Sequence, residues 1–210
     1  MKNRQTFMSV YFAIIDKNEV LEMDKLRCSW GNSKNPRYKK YHDEEWGKLN
    51  LDSTYLYEML ILESFQSGLS WETILNKREN FRKAFANFDY HKVAKFNEAD
   101  FERLMQDKGI IRNRLKVNAA INNARVLVKL ENNNQAFKHI LTKFIPEPIN
   151  HHPKKMEDVP ASNELSNQIS KEMKNLGFKF VGPITIYSFL QAVGLINDHI
   201  ENCSFKNGEL

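Results

Sequence analysis

The chain has 210 residues, 41% of them hydrophobic, so it is long enough to bury a substantial core. A net charge of +5 favours a polyanionic partner such as nucleic acid without requiring one. Two cysteines and the lack of any run of eighteen apolar residues exclude a disulfide framework and a membrane-spanning helix, and they favour a reducing cytoplasm. The basic N-terminus lacks the small-residue cleavage site of a signal peptide.

The predicted elements of the first half are helices. Asp52 or Ser53 begins the helix "DSTYLYEMLILESFQ", which is apolar on nearly every side and is expected to be buried. Ser70 begins "SWETILNKRENFRKAFANF", whose apolar residues follow helical spacing on one face, with charged residues on the other. Asp89 and Asn97 each begin a shorter helix.

The second half continues this pattern. A long helix, "RNRLKVNAAINNARVLVKL", follows Gly109, and a short one, "AFKHILTKF", follows an Asn-rich turn. The segment "IPEPINHHPKKMEDVP" contains four of the six prolines and is predicted to be a loop. A further helix ends at Gly177, and no segment shows sustained period-two alternation. We therefore predict an all-α protein.

A metal site is suggested by His199 and Cys203, which are close enough in sequence to bind one ion from a single helical turn or its frayed end. Cys28 is the other cysteine, and with His42 it would complete the Cys2His2 composition of a closed zinc site. A buried neutral cysteine and a hydrogen-bonded histidine explain the same residues equally well. Two further histidines compete as ligands, although a surface role is more common in a proline-rich loop: His151 and His152.

Glu63 is a second candidate. It lies on the face of its predicted helix that Leu56, Met59 and Leu60 would bury, whereas Glu58 is expected to face solvent. A carboxylate in an apolar setting needs hydrogen-bond donors from the protein or from a ligand. An internal hydroxyl or backbone amide is the more common partner.

Aromatic residues surround this region of the sequence. A site with aromatic walls and one acidic hydrogen-bond acceptor suits a flat heterocycle that donates hydrogen bonds and carries positive charge. An ordinary aromatic core explains the same composition. The residues are Trp30, Tyr38, Tyr41, Trp46 and Trp71.

Several ordered segments together resemble the 3-methyladenine DNA glycosylase I family of bacterial alkylation-repair enzymes. They are "RCSW", "YHDEEWG", "LESFQSGLSWETILNKRENFRKAF", "DKGIIRNRLKVNAAINNA" and "GFKFVGPITIYSFLQAVGLINDH", followed by Cys203. The resemblance covers about residues 27–203 and implies an all-α fold of the helix-hairpin-helix glycosylase type. A zinc ion then joins the N- and C-terminal segments, with Cys28, His42, His199 and Cys203 as ligands.

The resemblance also implies a domain organisation. Residues 23–204 would form a single glycosylase unit, with a larger helical part at about 47–145 and a C-terminal helical hairpin at about 162–196. Residues 1–22 would be an extension that the family pattern lacks, and residues 205–210 a tail. The spacing after Cys28 is one residue longer than the family pattern.

The implied activity is excision of 3-methyladenine from alkylated double-stranded DNA, which releases the free base and leaves an abasic site. Glu63 would be the catalytic carboxylate that hydrogen-bonds the base. The aromatic residues expected to contact or surround the base are Tyr41, Trp71, Trp30 and Trp46.

The resemblance places DNA contacts in two turns. In "QSGL", Gly68 and Leu69 would enter the gap left by a flipped nucleotide. In "GFKFVG", Gly177, Lys179 and Gly182 would present backbone N–H groups and charge to a phosphate, although a simple Gly-capped helix end is the more common use of such a sequence. We expect a cytoplasmic monomer; the alternative function is a zinc-stabilised, noncatalytic DNA-binding protein derived from the same family.

Overall fold

The computed structural model describes residues 25–206, and within that range nine α-helices account for most of the secondary structure. The predicted extension at 1–22 and residues 207–210 of the predicted tail lie outside the described residues. The mostly helical fold predicted from the sequence is confirmed. The helices are α1 (Pro36–Glu44), α2 (Ser53–Gln66), α3 (Trp71–Ala84), α4 (Tyr90–Val93), α5 (Glu98–Gln106), α6 (Arg114–Asn132), α7 (Phe137–Thr142), α8 (Glu164–Asn175) and α9 (Pro183–Ala192).

Side-chain caps set where several of these helices begin. The carboxylate of Asp52 accepts hydrogen bonds from the backbone N–H groups of Thr54 and Tyr55, both at 3.0 Å, so Asp52 rather than Ser53 is the N-cap of α2. The other predicted caps are confirmed in the same way, because each side chain accepts from the backbone N–H of a residue in the first turn: Ser70, Asp89 and Asn97.

Helix α2 lies at the centre of the fold. Every residue from Leu56 to Phe65 is buried, including two glutamates, and the helix packs against α3, α6, α7 and α9. Buried side chains from α2 and from α9 belong to the same hydrophobic cluster. Because α9 rests on α2, the residues of the C-terminal helices lie beside Glu63 although more than a hundred positions separate them in sequence.

Glu58 was expected to face solvent, and this prediction is wrong. Its side chain is only 8% exposed, because Arg78 and Arg82 of α3 reach it with Nε···Oε1 distances of 2.7 and 2.8 Å. Arg78 also donates to both carboxylate oxygens of Glu45. The two arginines supply the opposite charge and the hydrogen bonds that a buried carboxylate requires.

The predicted proline loop contains one two-residue strand and one 3-10 turn, and the strand pairs with a second strand near the C-terminus. The two-residue strands β1 (Ile149–Asn150) and β2 (Ile196–Asn197) pair in parallel, and the 3-10 turn Met156–Asp158 follows β1. The N–H of Ile149 donates to the carbonyl of Leu195. Two residues are too few for an alternating pattern to be recognised in the sequence. This pairing holds the loop against the end of α9. No helix among the described residues has both the length and the apolar character needed to cross a membrane.

Candidate functional site

A cavity of about 360 Å³ lies between the 3-10 turn Ser29–Asn32, the helices α1 to α3 and α9. The structure brings to it every residue that the sequence analysis assigned to the base: Trp30, Tyr41, Trp46, Glu63 and Trp71. The indole rings of Trp30 and Trp46 meet edge to face, with centroids 4.9 Å apart, and the rings of Tyr41 and Trp71 lie 5.3 Å apart. The cavity therefore has aromatic walls suited to a flat ligand.

Glu63 supplies the buried acidic group of this cavity. The residue is 5% exposed, and its Oε2 has no hydrogen-bond partner among the described residues. Burial raises the pKa of Glu63 to about 8. Trp71 contributes the complementary group, because its Nε1–H is also buried and finds no partner within the described range. A ligand with both a hydrogen-bond donor and an acceptor could satisfy the two atoms.

Tyr41 lines the same cavity and is 2% exposed. Burial, followed by the nearby carboxylate of Glu63, raises the pKa of Tyr41 well above its ordinary value. The phenol therefore stays protonated at neutral pH and can act as a hydrogen-bond donor.

Further lining residues escaped the sequence analysis. Gln66 follows Glu63 by three residues on α2, whereas the other four reach the cavity from the C-terminal half of the chain, through the packing of α9 on α2 and the pairing of β1 with β2. No local pattern marks these four, because their proximity to Glu63 arises only from tertiary contacts. They are Gln66, Met156, Val159, Ser188 and Gln191.

A second cavity, of about 440 Å³, adjoins the first and shares Glu63, Gln66 and Ser188 with it. Three of the predicted DNA contacts line it: Gly68, Leu69 and Gly182. The side chain of Leu69 is 41% exposed, and Gly68 adopts a φ of +83°, which favours glycine at this turn. A prominent apolar residue thus stands at the mouth of a cavity that leads to Glu63.

The other two predicted DNA contacts lie in the turn between α8 and α9. Gly177 follows the end of α8 with a φ of +99°, and Lys179 is exposed to solvent. Helix α9 begins with Gly182 as its N-cap and Pro183 in its first turn, and no side chain caps its N-terminal N–H groups. An uncapped helix N-terminus is a favourable place for an anion.

A separate group of potential metal ligands joins the two ends of the described chain. The ligand atoms of Cys28, His42 and Cys203 all lie within 4.8 Å of one another, and all three residues are buried. His42 donates from Nδ1 to the carboxylate of Asp43 at 2.7 Å, which leaves its Nε2 facing the Sγ of Cys203 at 3.7 Å. A carboxylate that accepts from Nδ1 in this way fixes the tautomer of a histidine that binds a metal through Nε2.

His199, the fourth predicted ligand, lies beside this group rather than within it, with its ring 4.9 Å from that of His42. Asn197 donates from Nδ2 to the carbonyl of Lys206, so its Oδ1 accepts from Nδ1 of His199 at 2.9 Å. The Nε2 of His199 therefore carries a lone pair, and it is buried with no partner among the residues described. Burial lowers the pKa of His199 to about 4, so the ring is neutral.

Gly31 and Gly47 allow the two imidazoles to pack this closely. A Cβ at Gly31 would lie 2.5 Å from Cδ2 of His42, and one at Gly47 would lie 2.9 Å from Nδ1 of His199. The competing histidines of the proline loop have other partners: His151 bonds the carboxylate of Asp198, and His152 contacts the ammonium of Lys206.

The chain is similar to known proteins over most of its length. A sequence profile of the family described as methyladenine glycosylase matches residues 30–207. DNA-3-methyladenine glycosylase 1 of Escherichia coli (strain K12) is 47% identical over 182 residues, which cover 84% of this chain and 95% of the relative.

Solved structures agree. A crystal structure of 3-methyladenine DNA glycosylase I, 44% identical, superposes with a TM-score of 0.83 and covers 85% of this chain and 98% of its own. A variant of such an enzyme in complex with 3-methyladenine, 37% identical, gives a TM-score of 0.82 and covers 86% and 97% of the two chains. Both likenesses extend over nearly the whole of the solved chains.

Proposed function

The chain belongs to the methyladenine glycosylase family, and from this membership we propose that it excises 3-methyladenine from alkylated DNA by hydrolysing the N-glycosidic bond. One observation supports this activity above the others: the buried carboxylate of Glu63 has an unpartnered Oε2, as judged within residues 25–206, in a cavity with aromatic walls. A volume of about 360 Å³ is within the range of small-ligand sites. The relative solved with 3-methyladenine bound supports the identity of that ligand.

The reaction breaks one bond and forms one. The 3-methylated base carries a positive charge in the nucleotide, so the C1′–N9 bond breaks with both electrons moving to N9, and the base leaves as a neutral molecule. Water then adds to C1′ of the sugar cation and loses a proton, which leaves an abasic site. Because the leaving group is already good, recognition of the damaged base supplies much of the selectivity and little chemical assistance is needed.

The residues of the first cavity take their roles from this chemistry. Glu63 is the catalytic carboxylate and accepts a hydrogen bond from the edge of the flipped base. Tyr41 and Trp71 stack on the base, and Trp30 and Trp46 extend the aromatic wall. We place the entry of the base at the second cavity, because it adjoins the first and shares Glu63, Gln66 and Ser188 with it.

The DNA contacts lie around that second cavity. Leu69, with Gly68 giving the turn its shape, fills the space that the flipped nucleotide leaves in the duplex. Gly177 and Gly182 present backbone N–H groups to a phosphate, and Lys179 adds charge. These contacts do not depend on base sequence, so we expect binding to undamaged DNA that weakens as salt rises.

We further infer that Cys28, His42, His199 and Cys203 bind one structural zinc ion. Two thiols and two imidazoles match the ligand types that zinc prefers, and both imidazoles keep Nε2 available because Nδ1 is engaged elsewhere. When bound, the ion crosslinks the segment before α1 to the segment after β2. We assign it a structural role and no part in the reaction, because none of its four proposed ligands lines either cavity.

The expected cellular setting follows from the family resemblance and from two buried, unpaired cysteines. We propose that the protein acts as a monomer in the cytoplasm, with alkylated duplex DNA as its partner and free 3-methyladenine as its product. Size-exclusion chromatography with light scattering tests the oligomeric state.

Incubation with methylated duplex DNA tests the activity. Chromatography of the released bases should identify 3-methyladenine, and Trp71→Ala should release much less because it loses a stacking face. Binding of DNA without release of any base would contradict the proposal and would favour the noncatalytic DNA-binding protein instead.

A further inference from the structure

Helix α6 carries buried polar residues that the reaction does not use. Lys116 and Asn123 are seven residues apart, about two helical turns, so they lie on the same side of the helix. Lys116 is 7% exposed and Asn123 is fully buried. Polar side chains in such positions require partners, and both find them in the two turns to which we assign DNA binding.

Lys116 holds the turn that carries Leu69. Its Nζ donates to the carbonyl of Phe65 at 2.9 Å and to the carbonyl of Ser67 at 2.7 Å. These carbonyls belong to the C-terminal end of α2, where backbone acceptors lack helical partners and the helix dipole favours a cation. The N–H of Leu69 donates to the carbonyl of Gln66 and completes the turn. Lys116 therefore determines how this turn leaves α2.

Asn123 holds the turn between α8 and α9. Its Nδ2 donates to the carbonyl of Lys179 at 3.0 Å, and its Oδ1 accepts from the N–H of the same residue at 2.8 Å. The adjacent Asn122 donates from Nδ2 to the carbonyl of Gly177 at 2.9 Å. The side-chain amides thus take the place of the backbone partners that this irregular turn lacks.

We propose that Lys116 and Asn123 are positioning residues that fix the distance between the Leu69 turn and the Lys179 turn, so that both engage one duplex together. The proposal rests on the proposed function and adds a role for α6. A helix that orders both turns in advance removes the conformational entropy that DNA binding would otherwise cost. Neither residue lines the two cavities, so they act on extrusion of the base and not on its recognition.

The variants Lys116→Met and Asn123→Ala test this role. Each should lower the rate of excision from methylated duplex DNA, per folded molecule, by about tenfold or more, because buried backbone groups of the turn lose their partners. The affinity for free 3-methyladenine should stay within about twofold of the wild type, since the base cavity is untouched. Where Lys116→Met does not fold, Asn123→Ala carries the test, because it removes the donor and the acceptor of the side-chain amide without adding a charge.

Helix α3 provides controls that make the same kind of contact from more exposed positions. Lys77 donates to the carbonyls of Lys108 and Gly109, and Asn80 donates to the carbonyl of Gly109, so these residues hold a turn that lines neither cavity. Lys77→Met and Asn80→Ala should alter thermal stability without a selective loss of excision. If Lys116→Met and Asn123→Ala behave as these controls do, their role is only structural and the proposal is overturned.

Combination with Leu69→Ala gives a second, independent readout. If Lys116 acts through the Leu69 turn, Lys116→Met should reduce excision little further once Leu69 is alanine, because coupled residues are not additive. Fully additive losses would overturn the proposal. Absence of base release by the wild-type protein would refute the proposed function itself, so the two failures are distinguishable.

Discussion

The Nε2 of His42 lies 3.7 Å from the Sγ of Cys203, which brings together side chains 161 positions apart in the sequence. With Cys28 in the same group, the two ends of the described chain meet at a set of metal-binding atoms. We expect elemental analysis of the purified protein to find about one zinc ion per chain, as a single tetrahedral site requires. Removal of the ion by a chelator should lower the melting temperature.

The variant Cys203→Ala tests whether the metal site stabilises the fold without contributing to recognition of the base. The variant should lose zinc and unfold at a lower temperature, because an open site no longer joins the two segments. Its affinity for free 3-methyladenine, per folded molecule, should be retained, since Cys203 lines neither cavity. A metal-free protein with undiminished stability would show that these residues are only a buried polar cluster.

Glu63→Gln should weaken binding of free 3-methyladenine in a pH-dependent way. Burial raises the pKa of Glu63 to about 8, so the fraction of ionised carboxylate increases as the pH rises through that value. Above it, loss of a charged acceptor should cost on the order of 1.5 to 3 kcal/mol, or roughly tenfold to a hundredfold in affinity. Below about pH 6 the protonated carboxyl resembles the amide, and the difference between the two proteins should narrow.

Calorimetric titration of both proteins with the free base, at several pH values, measures this difference, and a melting curve at each pH supplies the control for folding. If the difference in base affinity between the wild type and Glu63→Gln stays constant with pH, the ionised carboxylate is not the acceptor. A destabilised variant with unchanged affinity would place Glu63 among the purely structural residues.

Glu58→Gln should destabilise the fold without affecting the base. Glu58 is buried against Arg78 and Arg82, and removing its charge leaves two guanidinium groups short of a partner. The loss should be on the order of 3 kcal/mol in the free energy of unfolding. Glu79→Gln is the matched control, because Glu79 pairs with Arg82 at the surface and should contribute less than about 1 kcal/mol. Denaturant unfolding of the two variants tests the contrast; equal losses would contradict it.

Leu69→Ala should reduce excision from duplex DNA while leaving affinity for the free base unchanged. The exposed side chain of Leu69 lines the second cavity, where it can fill the gap in a duplex, but it does not line the first cavity, where we place the base beside Glu63 and Trp71. The defect should shrink on single-stranded methylated DNA, in which no stack has to be filled. Leu49→Ala, which changes another exposed leucine outside both cavities, should have no effect on either substrate.

The helix boundaries could be predicted because they depend on neighbours in sequence. Asp52 and Ser70 cap their helices by bonding residues two or three positions ahead, so a short segment contains all the required information. The burial of Glu63 could likewise be predicted, because the residues around it on α2 are apolar. Residue type and spacing suggested the four candidate metal ligands but left competing histidines, and the family resemblance selected this set and supplied the roles in the cavity.

The remaining features depend on contacts that no local pattern reveals. Glu58 has the same helical setting as many exposed glutamates, and only the approach of Arg78 from α3 makes its burial tolerable. Met156 and Val159 reach the base cavity because β1 pairs with β2, and the pairing involves two residues on each side. Such short pairings leave no periodic signal in a sequence.

The closeness of Cys28 and Cys203 has a consequence for synthesis on the ribosome. Segments made early normally fold before later ones emerge, but the side chains of Cys28 and His42 meet Cys203 only after nearly all of the described chain has been translated. Until then His42 and Trp46 lack their packing partner His199. The nascent chain should therefore expose the ring of Trp46 for most of its synthesis, and chaperones that bind exposed aromatic residues should recognise it there.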